Sequence, residues 1–387
     1  MKKYLIMLML VALSVMLTAN SGTIQLQRGV SRSEILRSDS YGLNVKFALD
    51  AIEYQEVHSK EGVFTLLTAK DYTATNTIGE PRLPLMRKII SVPLGADPQV
   101  KLSNTYRTTL SLAEKGINYP LIPAQESVAK CDNPEELPFV VNRNFYNGSR
   151  STALPTIQIE ELGMLRGERL FALDFVPANY NPSTKSLDVV LSTEVEISFR
   201  GADLVASADM KARTASPAFS SALASSVWNY QETRTSLMRY PIGYVIISPQ
   251  SFLEAMQPFV DWKSKEGYNV TVATIESIGN NYTSIKNYMQ GLWDSATTQN
   301  PAPSYLLIVG DVAQVAAGTS SIAGSSHPSD LGYVRLQGTD YMPEMYFGRF
   351  SATTVAQVTN QVNKTLMHET YAMPDDSYLA DAVLIAG

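Results

Sequence analysis

The chain has 387 residues, 45% hydrophobic and 18% charged, with a formal net charge of −6, one cysteine and three histidines. This length supports two domains with real cores. Mild acidity without a Lys/Arg cluster excludes a nucleic-acid binder, and a single cysteine excludes an internal disulfide.

Residues 1–22 read as a secretory signal peptide. Lys2 and Lys3 supply the positive end, Tyr4 to Leu17 is apolar, and TANSG offers small and polar residues for cleavage. The apolar core is too short for a comfortable membrane span, and no later segment qualifies. The other reading is an uncleaved N-terminal anchor.

Residues 23–201 read as all-β. Val45 to Leu49 alternates, Gly62 to Leu67 follows a polar turn, and Lys88 to Val92 ends at Pro93. Ile157 to Leu165 and Glu168 to Phe175 flank Arg166-Gly167, a hairpin signal. Ser186 to Leu191 and Glu194 to Phe199 follow as two further strands. Short strands at this spacing predict a β-sandwich.

Residues 202–240 are dominated by Ala and Ser and read as a partly helical connector. Arg234 and Arg239 mark a processing region, because exposed and poorly packed segments are where nicking concentrates. Ordinary surface charges are the alternative.

In residues 241–387 the period changes. Strands at Tyr244 to Ser248, Tyr268 to Thr274 and Tyr305 to Val309 alternate with helices from Ser251 to Glu266 and Ser284 to Ser295. Ser251 is a plausible N-cap, and Pro258 should kink that helix or shift its start. A hairpin-like stretch through Val334 and Met345 to Phe350 follows, then a helix from Thr354 to Tyr371 and a last strand, Ala382 to Ile385. This alternation predicts a parallel-type sheet with helices on both faces.

Within that region, Ser304 to Phe350 holds the candidate chemistry. The run YLLIV ends in Gly310-Asp311, which places Asp311 at a strand's carboxyl end, where open α/β sheets hold ligands. Asp340 and Glu344 follow in the loop DYMPE. Three carboxylates with loop carbonyls suit a hard cation such as Ca²⁺, while a solvated turn with unrelated acids is the alternative. No thiolate or imidazole lies in the motif, which disfavours Zn²⁺. Cys131 sits beside Lys130 and Asp132 with no histidine near it in sequence, and His58, His327 and His368 are scattered, so these residues do not read as a nucleophilic dyad.

Four stretches carry a family resemblance: IGEPRLPLMRKIISVPLGADP, SVAKCDNPEELPFV, GTDYMPEMYFGRFSA and DDSYLADAVLIAG. In this order they resemble the pro-domain and the first part of the catalytic domain of gingipains, secreted cysteine endopeptidases of the clostripain–caspase clan, and most of all the lysine-specific type. The resemblance implies a β-sandwich pro-domain followed by a caspase-like α/β subdomain, and an enzyme cutting protein or peptide substrates with a Cys/His dyad. That dyad falls downstream of Gly387, so the chain alone is expected to be inactive. The resemblance also implies Ca²⁺ held by Asp311, Asp340, Glu344, the Met342 carbonyl and a carbonyl at Gln337 or Gly338. It further implies a pro-domain that assists folding, docks on the catalytic domain and inhibits it, with Lys130 plugging the specificity pocket. Pro120, Pro123, Pro134 and Pro138 surround Lys130, which favours an extended path. The product is expected at the cell surface or outside the cell. A non-catalytic secreted module that binds or inhibits a partner is the competing function.

Overall fold

The computed structural model describes residues 20–29, 31–128, 133, 136–231, 241–322 and 325–384. In chain order the first region carries β1 (Ser21–Gln25), β2 (Arg32–Asp39), β3 (Gly42–Ala48), β4 (Ala51–Ser59), β5 (Gly62–Thr68), β6 (Thr73–Ala74), β7 (Pro84–Val92), β8 (Asp97–Ser111), α1 (Arg143–Tyr146), β9 (Ile157–Leu165), β10 (Glu168–Phe175), β11 (Ala178–Asn181) and β12 (Ser186–Arg200). Two antiparallel sheets, β6-β7-β10-β9 and β11-β12-β3-β2 with β8 on β12, face each other. Inner residues alternate along β3, as a half-buried strand requires, while β10 is buried almost throughout. Val45 and Phe47 of β3 meet Ile90 of β7 and Leu173 and Phe175 of β10 in one core, where the Phe47 and Phe175 rings stack with centroids 4.8 Å apart. The sheet β1-β4-β5 closes a second core with Leu187 and Val189 of β12. This is the predicted sandwich.

Two helices follow, α2 (Leu204–Thr214) and α3 (Pro217–Ser226). Asp203 starts α2 by accepting from the Ala206 N–H, and Pro217 sits at the first position of α3, where its missing N–H costs nothing.

The second region comprises β13 (Gly243–Ser248), α4 (Leu253–Lys265), β14 (Asn269–Thr274), α5 (Ile275–Ile278), α6 (Tyr282–Asp294), β15 (Tyr305–Val309), β16 (Gly318–Ile322), β17 (Ser325–Ser329), α7 (Leu331–Val334), β18 (Tyr346–Phe350) and α8 (Val355–Glu369). The sheet runs β14-β13-β15-β18, and every pairing is parallel. Val245, Ile247, Leu306 and Ile308 face α6, which turns Ile285, Met289 and Trp293 inward at a four-residue spacing. Ile246, Leu307 and Val309 face α4 and α8 through Met256, Phe259, Val358 and Val362. Helices on both faces explain why these strands are apolar throughout. Thr354 caps α8 by accepting from Gln357 N, and Asn281 caps α6 by accepting from Ser284 N.

Several expectations need correction. Ser21 and Gly22, assigned to the leader, pair with Gln55 and Tyr54 as part of β1. The two strands expected across 186–199 are one 15-residue strand, β12. Its register against β8 shifts near Ser192, between the two expected strands, without ending the strand. Ser251 lies in a short 3-10 turn, and the helix starts at Leu253. The stretch from Val334 through Met345 to Phe350 is not a hairpin: Val334 ends α7 and β18 runs parallel to β15, while an antiparallel pair, β16–β17, lies before it. Ala382 to Leu384 form no strand; Val383 and Leu384 are 82% and 95% exposed, and an apolar run without a neighbouring strand gains nothing from extending.

Candidate functional site at the contact between the two regions

The acidic loop begins where α7 ends and runs to β18. Its centre is Glu344, which is fully buried. Its backbone N–H donates to Val334 O at 2.8 Å, and its Oε2 accepts from Leu336 N at 2.7 Å and Gln337 N at 3.4 Å. Burial pushes the Glu344 carboxyl up to about 7, the two N–H donors oppose that rise, and the nearby Asp340 charge adds to it. Among the described residues, Glu344 Oε1 and Gln337 Oε1 are buried without a hydrogen-bond partner. Asp340 accepts from Met342 N at 2.7 Å through Oδ1 and from Met164 N, on β9, at 2.9 Å through Oδ2. Arg335 closes the loop by donating to Asp340 O and Thr339 O while lying 4.4 Å from the Tyr341 ring centroid. Gly338 takes a φ of 72°, which a side chain disfavours.

The structure brings Gly338, Asp340, Met342 and Glu344 into one loop, but not Asp311. Tyr305 pairs with Tyr346 and Val309 with Phe350. Glu344 therefore precedes one end of the sheet and Asp311 follows the other, roughly 25 Å away at about 3.3 Å per residue. The expected five-member cation set does not fit as a set, and among the described residues no three His, Cys, Asp or Glu side chains gather in metal-binding distance. Asp311 instead shapes its own turn. Its Oδ1 accepts from Val312 N, and its carbonyl accepts from Gln314 N and Val315 N. Beside it, Arg349 pairs with Asp330 at 2.7 Å and donates to the carbonyls of Gly310 and Val315.

The acidic loop also meets a residue that reading the sequence placed only as half of a turn. Arg166 sits at the tip of the β9–β10 hairpin, in the first region, yet its side chain is buried in the second and the residue is 3% exposed. Its Nη1 donates to Pro303 O at 2.9 Å and Glu344 O at 3.0 Å. Its Nη2 donates to Ala302 O at 3.1 Å and, more weakly, to Ala215 O at 3.4 Å. The rings of Phe219 on α3 and Trp293 on α6 each lie 5.3 Å from the guanidinium. Burial lowers the Arg166 pKa to about 9, against the pull of Glu344, so the group keeps its charge at neutral pH.

The helices between the regions touch both. Ser216 Oγ and Ser304 Oγ are 2.6 Å apart, Ala302 N donates to Arg213 O, and Phe219 stacks on Tyr346 at 4.4 Å. On the other side Lys211 pairs with the buried Glu168 at 2.7 Å. Asn229 exchanges two hydrogen bonds with the Ser91 backbone, at 2.7 and 2.9 Å. Lys130, Cys131, Arg234 and Arg239 lie outside the described residues. Upstream of Lys130, Leu121 and Ala124 make isolated bridges to Thr65 and Ile78.

Comparison with known proteins places the two regions. The Propeptide_C25 family model matches residues 27–236, and that of Peptidase family C25 matches residues 238–387. The chain belongs to the C25 peptidase family. It is a C25 propeptide followed by a C25 peptidase region, as in gingipain zymogens. Lys-gingipain of Porphyromonas gingivalis is 32% identical over the whole chain, and gingipain R2 of the same species is 23% identical over 91% of it. The chain spans 22% of the first relative's length and 46% of the second's. Two solved structures are similar. One, on the zymogenic latency of gingipain K from P. gingivalis, is 32% identical with a TM-score of 0.45, over 47% of this chain and all of that one. The other, a complex of P. gingivalis RgpB pro- and mature domains, is 18% identical with a TM-score of 0.42, over 51% of this chain and 98% of that one. Among the described residues no helix is long and apolar enough to cross a membrane.

Proposed function

We propose that this chain is the zymogen portion of an exported cysteine endopeptidase that hydrolyses peptide bonds with a Cys/His dyad supplied downstream, and that the propeptide inhibits that enzyme and helps it fold. The observation behind this reading is the seating of Arg166 and Met164, both on the propeptide, against the loop that carries Asp340 and Glu344. A spacer would have no reason to bury a charged side chain in its neighbour, since an unpaired buried charge is costly. Lys130 is proposed to fill the specificity pocket of the complete enzyme, where a buried acid would otherwise lack a partner. Cleavage between 232 and 240, at Arg234 or Arg239, is proposed to separate the parts.

A structural Ca²⁺ is retained as a narrower proposal. Its ligands would be Asp340, Glu344 and the Met342 and Gly338 carbonyls, without Asp311. An oxygen-only set suits this hard cation, and the unpartnered Glu344 Oε1 favours the reading. Its part would be to hold the loop.

The test uses the longer reading frame that includes the downstream dyad. Peptide hydrolysis should rise when the propeptide is removed, and thiol alkylation should abolish it. Activity insensitive to alkylation, or unchanged by propeptide removal, overturns the proposal.

A further inference from the structure

Arg166 occupies a site with a shape of its own. Three of its acceptors, the carbonyls of Ala302, Pro303 and Glu344, belong to the peptidase region, as does the Trp293 ring. These carbonyls precede β15 and β18, where the parallel ladder has ended and their oxygens are open to an outside donor. Two flat rings and three carbonyl acceptors match a planar, forked, weakly hydrated cation. A lysine ammonium is compact and strongly hydrated, and fits neither feature.

The hairpin tip supports the same conclusion independently. Arg166 and Gly167 take φ of 51° and 80°, the left-handed pair of a two-residue hairpin turn. Asn, Asp or Gly suits the first position better, because a longer side chain there is strained. An arginine held at that position is explained by where its side chain ends. The tip is held on its own side by α2, since a Cβ on Gly167 would lie 2.6 Å from Thr214 Oγ1.

We infer that the Ala302–Pro303–Glu344 carbonyls and Trp293 form a receptor for one guanidinium group. Its occupant is Arg166, and this receptor governs how long a cleaved propeptide stays on the peptidase region. Phe219 and Ala215 precede residues 232–240, so after cleavage there they leave with the propeptide and the three carbonyls and Trp293 remain. The inference rests on the zymogen reading above. It differs in assigning retention to a site remote in sequence from Lys130.

The experiment uses the full chain carrying a specific protease site within 232–240, cut once after folding. Release of the propeptide is followed with the peptidase region immobilised. Wild type should stay bound. Arg166→Ala should release at least about a hundredfold faster, as expected for leaving three buried carbonyls without their charged donor. Arg166→Lys, which keeps the charge, should release at least about tenfold faster, and ethylguanidinium should slow the release of Arg166→Ala where ethylammonium does not. If Arg166→Ala fails to fold, as judged by near-ultraviolet circular dichroism, Arg166→Lys alone decides the matter. Equal retention of wild type, Arg166→Lys and Arg166→Ala overturns the receptor while leaving the zymogen reading intact. Immediate loss of the wild-type propeptide overturns both.

Discussion

Gly163 is where the propeptide's fold and its docking can be separated by one methyl group. It lies on β9 at a φ of 138°, beside a bulge in the β9–β10 register. A Cβ there would enter the Asp340 carboxylate and come within 2.6 Å of the Asp340 Cβ. Gly163→Ala therefore has two costs. Left-handed strain is about 1–2 kcal/mol. Pushing Asp340 away also removes the bond from Met164 N, a hydrogen bond to a charged group worth about 1.5–3 kcal/mol. The full chain should lose roughly 2.5–5 kcal/mol from the transition that unfolds the propeptide. At a urea slope of about 2 kcal/mol per molar, the midpoint falls by roughly 1–2.5 M. In an Asp340→Gly background, which also lacks the Cβ, the clash and the hydrogen bond are both gone, so Gly163→Ala should cost only the strain. The difference between backgrounds is the coupling across the interface. An identical loss in both would refute the argument, because the glycine would then matter only to its own strand.

Three further expectations follow from the same contacts. Asn229→Ala removes both bonds to the Ser91 backbone; it should cost about 1–3 kcal/mol and speed cleavage within 232–240, read by limited proteolysis and gel densitometry. Calorimetry with Ca²⁺ should show heat for wild type that is lost in Asp340→Ala and kept in Asp311→Ala; no heat from wild type removes the cation proposal. Adding propeptide to the complete mature enzyme should show that Lys130→Ala weakens inhibition at least tenfold, about 1.4 kcal/mol, and unchanged inhibition would leave latency to the docked surface.

What the sequence revealed and what it concealed have separable causes. The strands β13 and β15 were legible because a parallel sheet covered on both faces demands uninterrupted apolar runs, and Val245 to Ile247 and Leu306 to Val309 supply them. The β9–β10 hairpin was legible from Arg166-Gly167 between two alternating runs. β8 went unseen because most of its residues are exposed and it shows no period of two. Arg166 was visible as a turn residue only. Its three acceptors in the peptidase region lie more than 130 residues away, and arginine is so seldom fully buried that burial is never the first reading. The available signal was the awkwardness of arginine at a left-handed position. The Asp311 assignment failed differently, because the information against it was already present. Once the strands ending at Val309 and beginning at Tyr346 are taken as parallel neighbours, a residue just after one and a residue just before the other must stand at opposite ends of the sheet. Asp311 and Glu344 could stand together only if β18 ran antiparallel to β15, and the parallel register sets them at opposite ends of the sheet.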